Sequence, residues 1–449
     1  MVDNGKFSPI SASRSGSITE IPEDEYYDPY LKKQPKTPSI TSTQAFFLLI
    51  QAVVGTGILQ AVFVFRQGWI TGIILTALIG IICTHCLHIL FQAKYRLCKT
   101  LKIPHLKYAQ SVERAFEMGP PSIRQFSRLS HYVVDVCFIL CQLGLCCIFA
   151  SMALSLTPVV DGLIRSFLAF KVDISTLFSV SLLPLILARF MKDLNVVANL
   201  CVLGVVFLLA SSAVILVFLL QDPRPFGSFE MFEIDVKTLP IYIGTLVFSM
   251  QAVTVVTHID DNLESPKAFS RPCGIITIGM FLIIVVQCIL GFLVYWRFDN
   301  DGLTISTIPI FFVTNDILVV CTAFYMVDTY ISYGLHEFIY VNIIWNKLEN
   351  RCWCTRFLWC SLPIILSGVY MAARTYTESL LPECIITIIL GTTVPILGII
   401  FPALMDISLN WPNNFRRAKL IHFKNIFLVI FGLSAIFCSL VYCFLPSNF

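Results

Sequence analysis

Two glycines that flank a threonine, Gly55-Thr56-Gly57, stand in the middle of the apolar stretch QAVVGTGILQ. Glycine inside a helix is about 1 kcal/mol less favourable than alanine, so two glycines in three residues favour opening of the backbone. Opened main chain within a bilayer exposes amide and carbonyl groups, which hydrocarbon tolerates only where they line a cavity or meet a solute. We therefore predict a solute site at residues 54–58. The alternative is that the small residues let two helices approach closely.

His85 and His88, with Cys86 between them, are the nearest approach to a cluster of metal ligands. Their spacing places both rings on one helix face, which suits a metal. A closed site needs four ligands, and the other histidines are scattered over span ends and loops. We therefore expect no metal and no other cofactor, although a metal- or haem-bearing membrane protein is retained as one of three functional hypotheses. Serine-hydrolase, zinc-peptidase and phosphate-binding motifs are missing from the sequence, so we expect neither an enzyme nor a nucleic-acid-binding protein.

The elements that must position these residues are membrane helices. The chain has 449 residues, of which 57% are hydrophobic and 13% charged, whereas a soluble protein has about 25% charged residues. Windows of roughly 20 residues without Lys or Arg predict eleven spans in a lipid bilayer, and the fold class is therefore an all-α membrane protein. The spans lie near 43–63, 68–92, 130–156, 174–188, 194–220, 239–257, 273–296, 307–340, 358–373, 382–405 and 425–445.

The distribution of Lys and Arg predicts the orientation of the spans. Nineteen of these residues fall in the loops assigned to the inside and seven in those assigned to the outside, with five more in the N-terminal tail. This asymmetry places the N-terminus in the cytosol and the C-terminus outside. Residues 1–42 are rich in Ser, Pro and charge and are expected to form a disordered cytosolic tail, followed by a transmembrane domain over 43–449.

Four separated stretches of the sequence resemble one protein family. GTGIL and the following GWITGIILTALIGIICTHCLHILFQAKYRLC look like the opening of the amino acid/auxin permease family, in its proton-coupled amino acid transporter branch. DVCFILCQLGLCCIFA, LPIYIGTLVFSMQAVTVVTHIDDNLESPKAF and GTTVPILGIIFPALMD are similar to spans 3, 6 and 10 of that branch. The resemblance runs from about residue 43 to residue 445.

The resemblance implies a fold of eleven helices with an inverted 5+5 repeat, in which spans 1 and 6 are discontinuous. Repeat one would cover about 43–220 and repeat two about 239–405, with an extra span near 425–445. The implied function is secondary transport of amino acids, often small and neutral ones, by alternating access and commonly with protons. The implied substrate-binding residues are Val54, Gly55, Thr56, Gly57 and Ile58 in span 1, Gln142 in span 3, and Phe248, Met250, Gln251 and Thr254 in span 6.

The chain departs from the branch at positions that the resemblance associates with proton coupling. Leu48 stands where the branch usually has a histidine, Gln51 replaces a neighbouring lysine, and Gln251 replaces a glutamate. Coupling to protons requires a buried group that titrates, and these side chains do not. Asp135, one turn after His131 and two turns before Gln142, and Asp328 in span 8 are therefore the candidate coupling groups. The alternative for both is a paired carboxylate near the inner interface with no role in transport.

The sequence keeps the motifs of the family but lacks the titratable residues at positions 48, 51 and 251. Two further functions therefore stay open beside that of a proton-coupled carrier. The chain is an uncoupled carrier, or it is an amino acid sensor that signals to a cytosolic partner with little transport. A sensor needs a ligand that binds two conformations with different affinity. The sequence places the protein in the plasma membrane or in a lysosomal or vacuolar membrane and does not choose between them.

Overall fold

Helices account for nearly all of the regular structure in the computed structural model. The structure describes residues 27–32, 39–155, 173–221, 231–298, 316–377, 381–411 and 416–444, apart from the single positions 190, 192, 233, 237, 272 and 350. Within these ranges there is no strand, and the β-type pairing is a single bridge between Ile40 and Leu263. The predicted all-helical class is confirmed for this part of the chain.

The principal helices are numbered here so that they correspond to the predicted spans. They are α1 (Ser42–Ala61), α2 (Trp69–Leu101), α3 (Ser127–Ser155), α4 (Ile174–Ala188), α5 (Leu194–Gln221), α6a (Leu239–Ser249), α6b (Val253–Asn262), α7 (Ile275–Phe298), α8 (Asp316–Lys347), α9 (Trp353–Thr377), α10a (Leu381–Pro395), α10b (Phe401–Leu409) and α11 (Arg416–Phe444). A π-helical segment, Ile396–Ile400, joins α10a to α10b. The loop between α2 and α3, for which we predicted no helix, contains Tyr108–Met118 and Pro121–Arg124.

Eight helical segments are long and apolar enough to cross a membrane. They correspond to predicted spans 2, 3, 5, 6, 7, 9, 10 and 11. In the part of the chain that the structure describes, α1, α4 and α8 do not pass the same test of length and hydropathy. The chain is an integral membrane protein with multiple spans, and the full number of eleven stays a prediction.

The predicted break of span 1 at residues 54–58 is wrong. The α-helix continues through Gly55 to Ala61 and then tightens into a 3₁₀ helix over Val62–Gln67. Packing explains the glycine, because a Cβ atom there would lie 2.8 Å from Ser332 Oγ and 3.3 Å from Phe149 Cε1. Gly55 thus allows α1 to approach α8 and α3 closely, which was the alternative interpretation. Thr56, Gly57 and Ile58 belong to the same helix, and their side chains lie outside the described residues.

The predicted discontinuity of span 6 is confirmed. Helix α6a ends at Ser249 and α6b begins at Val253, with a non-helical segment of three residues between them. The backbone leaves the helical region at Ala252, where φ is −135°. The β-branched run that follows the break, residues 253–257, is helical. Its last hydroxyl, on Thr257, donates a hydrogen bond to the carbonyl of Val253 at 2.8 Å.

Helices α1, α3 and α8 form the centre of the packing. Helix α8 contacts α1, α3, α4, α5 and α9, and α1 also contacts α5, α6a and α7. Helix α6b contacts α1, α3, α8 and the π-helical segment. The break in α6 is therefore held among the helices that carry the other predicted site residues.

Part of the predicted tail has defined structure at the end of the bundle where α2 and α6b finish. Tyr30 lies in a short helix, Pro29–Lys32, and its ring stacks on Tyr95 of α2 with centroids 4.7 Å apart. The amide of Ile40 donates to the carbonyl of Asn262 at 3.0 Å. Residues 1–26 and 33–38 of the predicted disordered tail lie outside the described residues. The described pieces attach the N-terminal segment to the C-terminal ends of α2 and α6b.

Candidate functional site

The break in α6 combines a helix N-terminus with buried polar side chains. Gln251 lies within the break and is 4% exposed, and neither its Nε2 nor its Oε1 has a hydrogen-bond partner among the described residues. Thr254, in the first turn of α6b, is fully buried, and its hydroxyl is likewise unpartnered in this part of the chain. Among the described residues, no side-chain hydrogen bond caps α6b at its N-cap residue, Ala252. The first amides of a helix have no intrahelical acceptor and carry partial positive charge, so this end suits an anionic group.

The apolar members of the predicted site belong to one cluster of side chains. Val54 and Met250 are buried in it, and Phe248 packs against it while partly exposed. A Cβ atom on Gly80 of α2 would lie 3.4 Å from Met250 Cε, so α2 also borders the break. Phe248 and Met250 are close to Gln251 along the chain and give the break apolar neighbours, and Val54 lies on α1, which contacts both α6a and α6b.

The main chain of α1 at Gly55 takes part in a polar contact although the helix is intact. The Tyr325 hydroxyl of α8 donates a hydrogen bond to the carbonyl oxygen of Gly55 at 3.1 Å. That oxygen lies within a helix, where an internal amide is also available to it. This hydrogen bond thus joins α1 to α8 at the level of residues 54–58, where we predicted the solute.

One turn before Gly55, a buried amide joins α1 to two polar side chains of α8. The Gln51 Nε2 atom donates to Asp328 Oδ1 at 2.6 Å and to Ser332 Oγ at 2.7 Å. All three residues are fully buried. Asp328 Oδ2 and Gln51 Oε1 have no hydrogen-bond partner among the residues the structure describes. A Cβ atom on Gly204 of α5 would lie 2.8 Å from Gln51 Oε1, so α5 packs directly against this group of three polar side chains.

Gln142 of α3 faces α8 rather than the break in α6. Its Oε1 lies 2.7 Å from His336 Nδ1, and both residues are fully buried. An amide oxygen is an acceptor, so His336 donates from Nδ1 and its Nε2 carries the lone pair. The imidazole stacks on Phe149 with ring centroids 5.3 Å apart. Phe149 also borders Gly55, so the Phe149 ring lies between the His336–Gln142 pair and α1.

Asp135, the first of the two candidate coupling groups, is paired at the end of the bundle. Its Oδ2 contacts Lys347 Nζ at the end of α8 and lies 3.5 Å from His131 Nε2. His131 in turn lies 2.9 Å from Glu113. The carboxylate is a quarter exposed, and this arrangement favours the alternative of an interfacial ion pair.

His85 and His88 do not assemble a metal site with described residues. His85 is exposed, and His88 Nε2 lies 2.8 Å from the Thr277 hydroxyl of α7. The group with suitable ligand spacing in the described chain is His105, Asp260 and Asp261. Lys94 Nζ lies 2.7 Å from Asp260 Oδ2, and His105 Nε2 lies 2.8 Å from Asp261 Oδ1. The ammonium group already supplies the positive charge that these carboxylates require, so an ion-pair cluster accounts for them.

Sequence reasoning missed three polar residues of α8. They are Tyr325, His336 and Glu337. Tyr325 precedes Asp328 by three residues, His336 follows it by two steps of four, and Glu337 is the next residue after His336. The signal that could have found them is the face formed by residues 325, 328, 332 and 336, which is polar throughout within an apolar helix.

The overall arrangement is shared with solved structures of membrane transporters. MhsT in complex with L-phenylalanine aligns with a TM-score of 0.52 at 10% identity, covering 89% of this chain and 96% of that chain. MHP1, a nucleobase-cation-symport-1 family transporter, aligns with a TM-score of 0.52 at 12% identity, covering 90% and 91%. The manganese transporter of Eremococcus coleocola gives 0.53 at 10% identity, covering 91% and 88%. The fold is therefore that of a membrane transporter.

A family model described as transmembrane amino acid transporter protein matches residues 38–445, so the chain belongs to that family. It is similar to the "proton-coupled amino acid transporter-like protein pathetic" of Drosophila melanogaster, with 26% identity over 416 residues that cover 91% of this chain and 86% of the relative. It is also similar to the "probable amino acid transporter skat-1" of Caenorhabditis elegans, with 21% identity and 88% of each chain covered. The resemblance inferred from the four sequence motifs is confirmed, and these relatives are named as transporters.

Proposed function

We propose that this protein is a secondary carrier of small neutral amino acids that works by alternating access. The observation that carries the proposal is the break at residues 250–252, where a helix N-terminus and the unpartnered side chain of Gln251 are buried together. Buried polar groups without partners are uncommon in folded proteins and call for an explanation. A solute with a carboxylate and an ammonium group supplies the missing partners.

The two ends of the break match the two charges of a zwitterion. The N-terminus of α6b and the Thr254 hydroxyl can donate to the carboxylate. The last carbonyl groups of α6a lie at the negative end of their helix and suit the ammonium group. Gln251 offers a donor and an acceptor to the same solute.

The walls of the break favour a small and neutral side chain. Phe248 and Met250 provide apolar surface, and the residue at position 251 is an amide instead of an acid. A buried carboxylate would be the natural partner of a cationic substrate. The amide at this position therefore argues for neutral amino acids.

Asp328 is proposed as the group that couples transport to protons. The relative from Drosophila is named as similar to proton-coupled amino acid transporters, and Asp328 is a fully buried carboxylate in contact with α1. When Asp328 is ionised, the Gln51 amide donates to it as observed. When Asp328 is protonated, its O–H can donate to Gln51 Oε1 once the amide rotates. Protonation thereby changes a contact between α1 and α8, the kind of contact that alternating access must remake.

The inverted 5+5 repeat, the eleven spans and the cytosolic N-terminus form part of the same proposal. The likeness to transporter structures and the discontinuity of α6 support the repeat. The asymmetry of Lys and Arg supports the orientation.

Uptake of labelled amino acids into proteoliposomes tests the proposal. We expect time-dependent accumulation of small neutral amino acids by the native protein. Gln251→Leu should raise KM or abolish uptake, because an unpartnered amide is replaced by apolar surface, while the protein still folds. Gln92→Leu, an exposed position on α2, is the matched control and should leave uptake unchanged. Binding of amino acids without uptake would contradict the carrier and favour the sensor.

A further inference from the structure

Glu337 is a second buried carboxylate of α8, and the proposed transport cycle described above does not use it. The residue is 1% exposed. Neither Oε1 nor Oε2 has a hydrogen-bond partner in the described part of the chain. A carboxylate in a membrane helix is costly to retain without a role, and one with two unpartnered oxygens is unusual even in a soluble protein.

The groups around Glu337 come from four helices. Cys146 of α3, Cys360 of α9 and Tyr333, one turn earlier on α8, interact with it electrostatically. Arg189 at the end of α4 acts on it through its positive charge. The adjacent residue, His336, is engaged with Gln142 through Nδ1.

This environment suits a proton better than a metal cation. Thiols and phenols are poor ligands for the hard cations that carboxylates bind. Arg189 adds a positive charge that repels a cation. A proton needs one oxygen, no coordination shell and little space.

Polar side chains of α8 link this carboxylate to Asp328. Nine residues of helix separate the two, which is about 13 Å along the axis. Ser332 and His336 follow Asp328 at steps of four residues, and Asp328, Ser332 and His336 are all fully buried. His336 Nε2 carries a lone pair and has no described partner, so it can accept a proton.

We propose that Glu337 is a proton-binding site that exchanges protons between Asp328 and the cytosolic side of the protein, with His336 as the intermediate proton-binding group. The inference rests on the proposed transport function and extends it to the route of the proton. In the inward direction, the Ser332 hydroxyl takes up a proton from the Asp328 carboxyl and gives its own proton to His336 Nε2; a Glu337 oxygen then takes the proton from His336 and releases it to water near Arg189. Each step breaks one O–H or N–H bond and forms another, and no redox partner is required.

Proteoliposomes that contain a pH-sensitive dye test this route. The native protein and Glu337→Gln are compared in two assays: proton flux driven by an amino acid gradient, and counterflow exchange of labelled for unlabelled amino acid. In Glu337→Gln we expect proton flux to fall on the order of a hundredfold, with counterflow within about twofold of the native rate because the break in α6 is untouched. Glu349→Gln, exposed beyond the end of α8, is the matched control and should preserve both activities.

Glu337→Asp keeps a titratable carboxyl and separates the proton role from a packing role. We expect this variant to retain proton flux with a shifted pH profile. Equal proton flux in Glu337→Gln and the native protein would overturn the inference, and so would equal losses in the Gln and Asp variants. Absence of counterflow in the native protein would instead refute the carrier proposal itself.

Discussion

The Gln51 Nε2 atom of α1 lies 2.6 Å from Asp328 Oδ1 of α8, and both residues are fully buried. A side-chain amide at this position can serve either protonation state of the carboxylate, because it has both a donor and an acceptor. The contact joins α1, which packs against both α6a and α6b, to the polar face of α8 formed by residues 325, 328, 332 and 336. In the proposed mechanism, this contact couples the protonation of Asp328 to the position of α1.

Asp328→Asn should uncouple transport from protons. The asparagine is nearly isosteric and still accepts from Gln51, but it cannot exchange a proton. We expect pH-driven accumulation to be lost while counterflow exchange persists. Uptake at several external pH values, with the inside held constant, measures the effect.

Asp135→Asn is the matched control for that substitution. Its carboxylate is paired with Lys347 and His131 near the end of the bundle, so its removal should leave coupling unchanged. If Asp135→Asn abolishes coupling and Asp328→Asn does not, the two carboxylates have been assigned the wrong way round.

Gly55→Ala should weaken the contact between α1 and α8. Its Cβ would lie 2.8 Å from Ser332 Oγ, which must then turn away from Gln51. Overpacking of this kind costs about 1–3 kcal/mol, and Gly55→Leu should abolish uptake altogether. Thermal unfolding in detergent and uptake measure the two effects.

A double variant identifies the clashing atom. Gly55→Ala combined with Ser332→Ala removes the hydroxyl and should recover part of the lost stability, beyond the sum of the single effects. Gly368→Ala on α9 is the control, because its Cβ would meet Leu182 at an ordinary 3.9 Å. Strict additivity of the two single substitutions would argue against the contact.

Lys94→Met should destabilise the end of the bundle where α2 and α6b finish. Lys94 is 4% exposed and lies 2.7 Å from Asp260, so the substitution leaves a buried carboxylate without its cation. Breaking such a pair costs about 3–5 kcal/mol. Unfolding of the purified protein measures the loss, and Lys99→Met at an exposed position of α2 should have little effect. Equal stability of both variants would show that the pair contributes nothing.

Thiol labelling should verify the orientation. Cys273, Cys352 and Cys354 are exposed, and all lie in loops predicted to face the cytosol. The hydrogen bond with the Thr355 side chain lowers the pKa of the Cys352 thiol, so Cys352 should react faster than Cys273 at neutral pH. A membrane-impermeant maleimide should label inside-out vesicles and spare right-side-out ones. The reverse pattern would place these loops outside.

The sequence predicted the helices well because their signal is local. Runs without Lys or Arg follow from the cost of charge in lipid, so spans such as 174–188 coincide with Ile174–Ala188. The loop helix Tyr108–Met118 lacks that signal because it is amphipathic. The four motifs were sufficient to identify the family.

The location of the helix breaks was not a local property. Gly55 and Gly57 are unfavourable in an isolated helix, but contacts with Ser332 and Phe149 favour the continuous form. The break in α6 falls on Met250, Gln251 and Ala252, which contain neither Gly nor Pro. Tertiary packing explains the first outcome, and no local signal in the sequence marks the second. The polar pairs of α8 could not be predicted from local sequence either, because the partners of Asp328 and His336 lie on other helices, α1 and α3.

Accumulation of a labelled small neutral amino acid in proteoliposomes of the native protein, under an inwardly directed proton gradient, tests the central claim most directly. We expect the internal concentration to rise with time above the external one and to fall back when a protonophore collapses the gradient. Saturable binding with no rise in internal concentration, for every amino acid offered, would contradict the account.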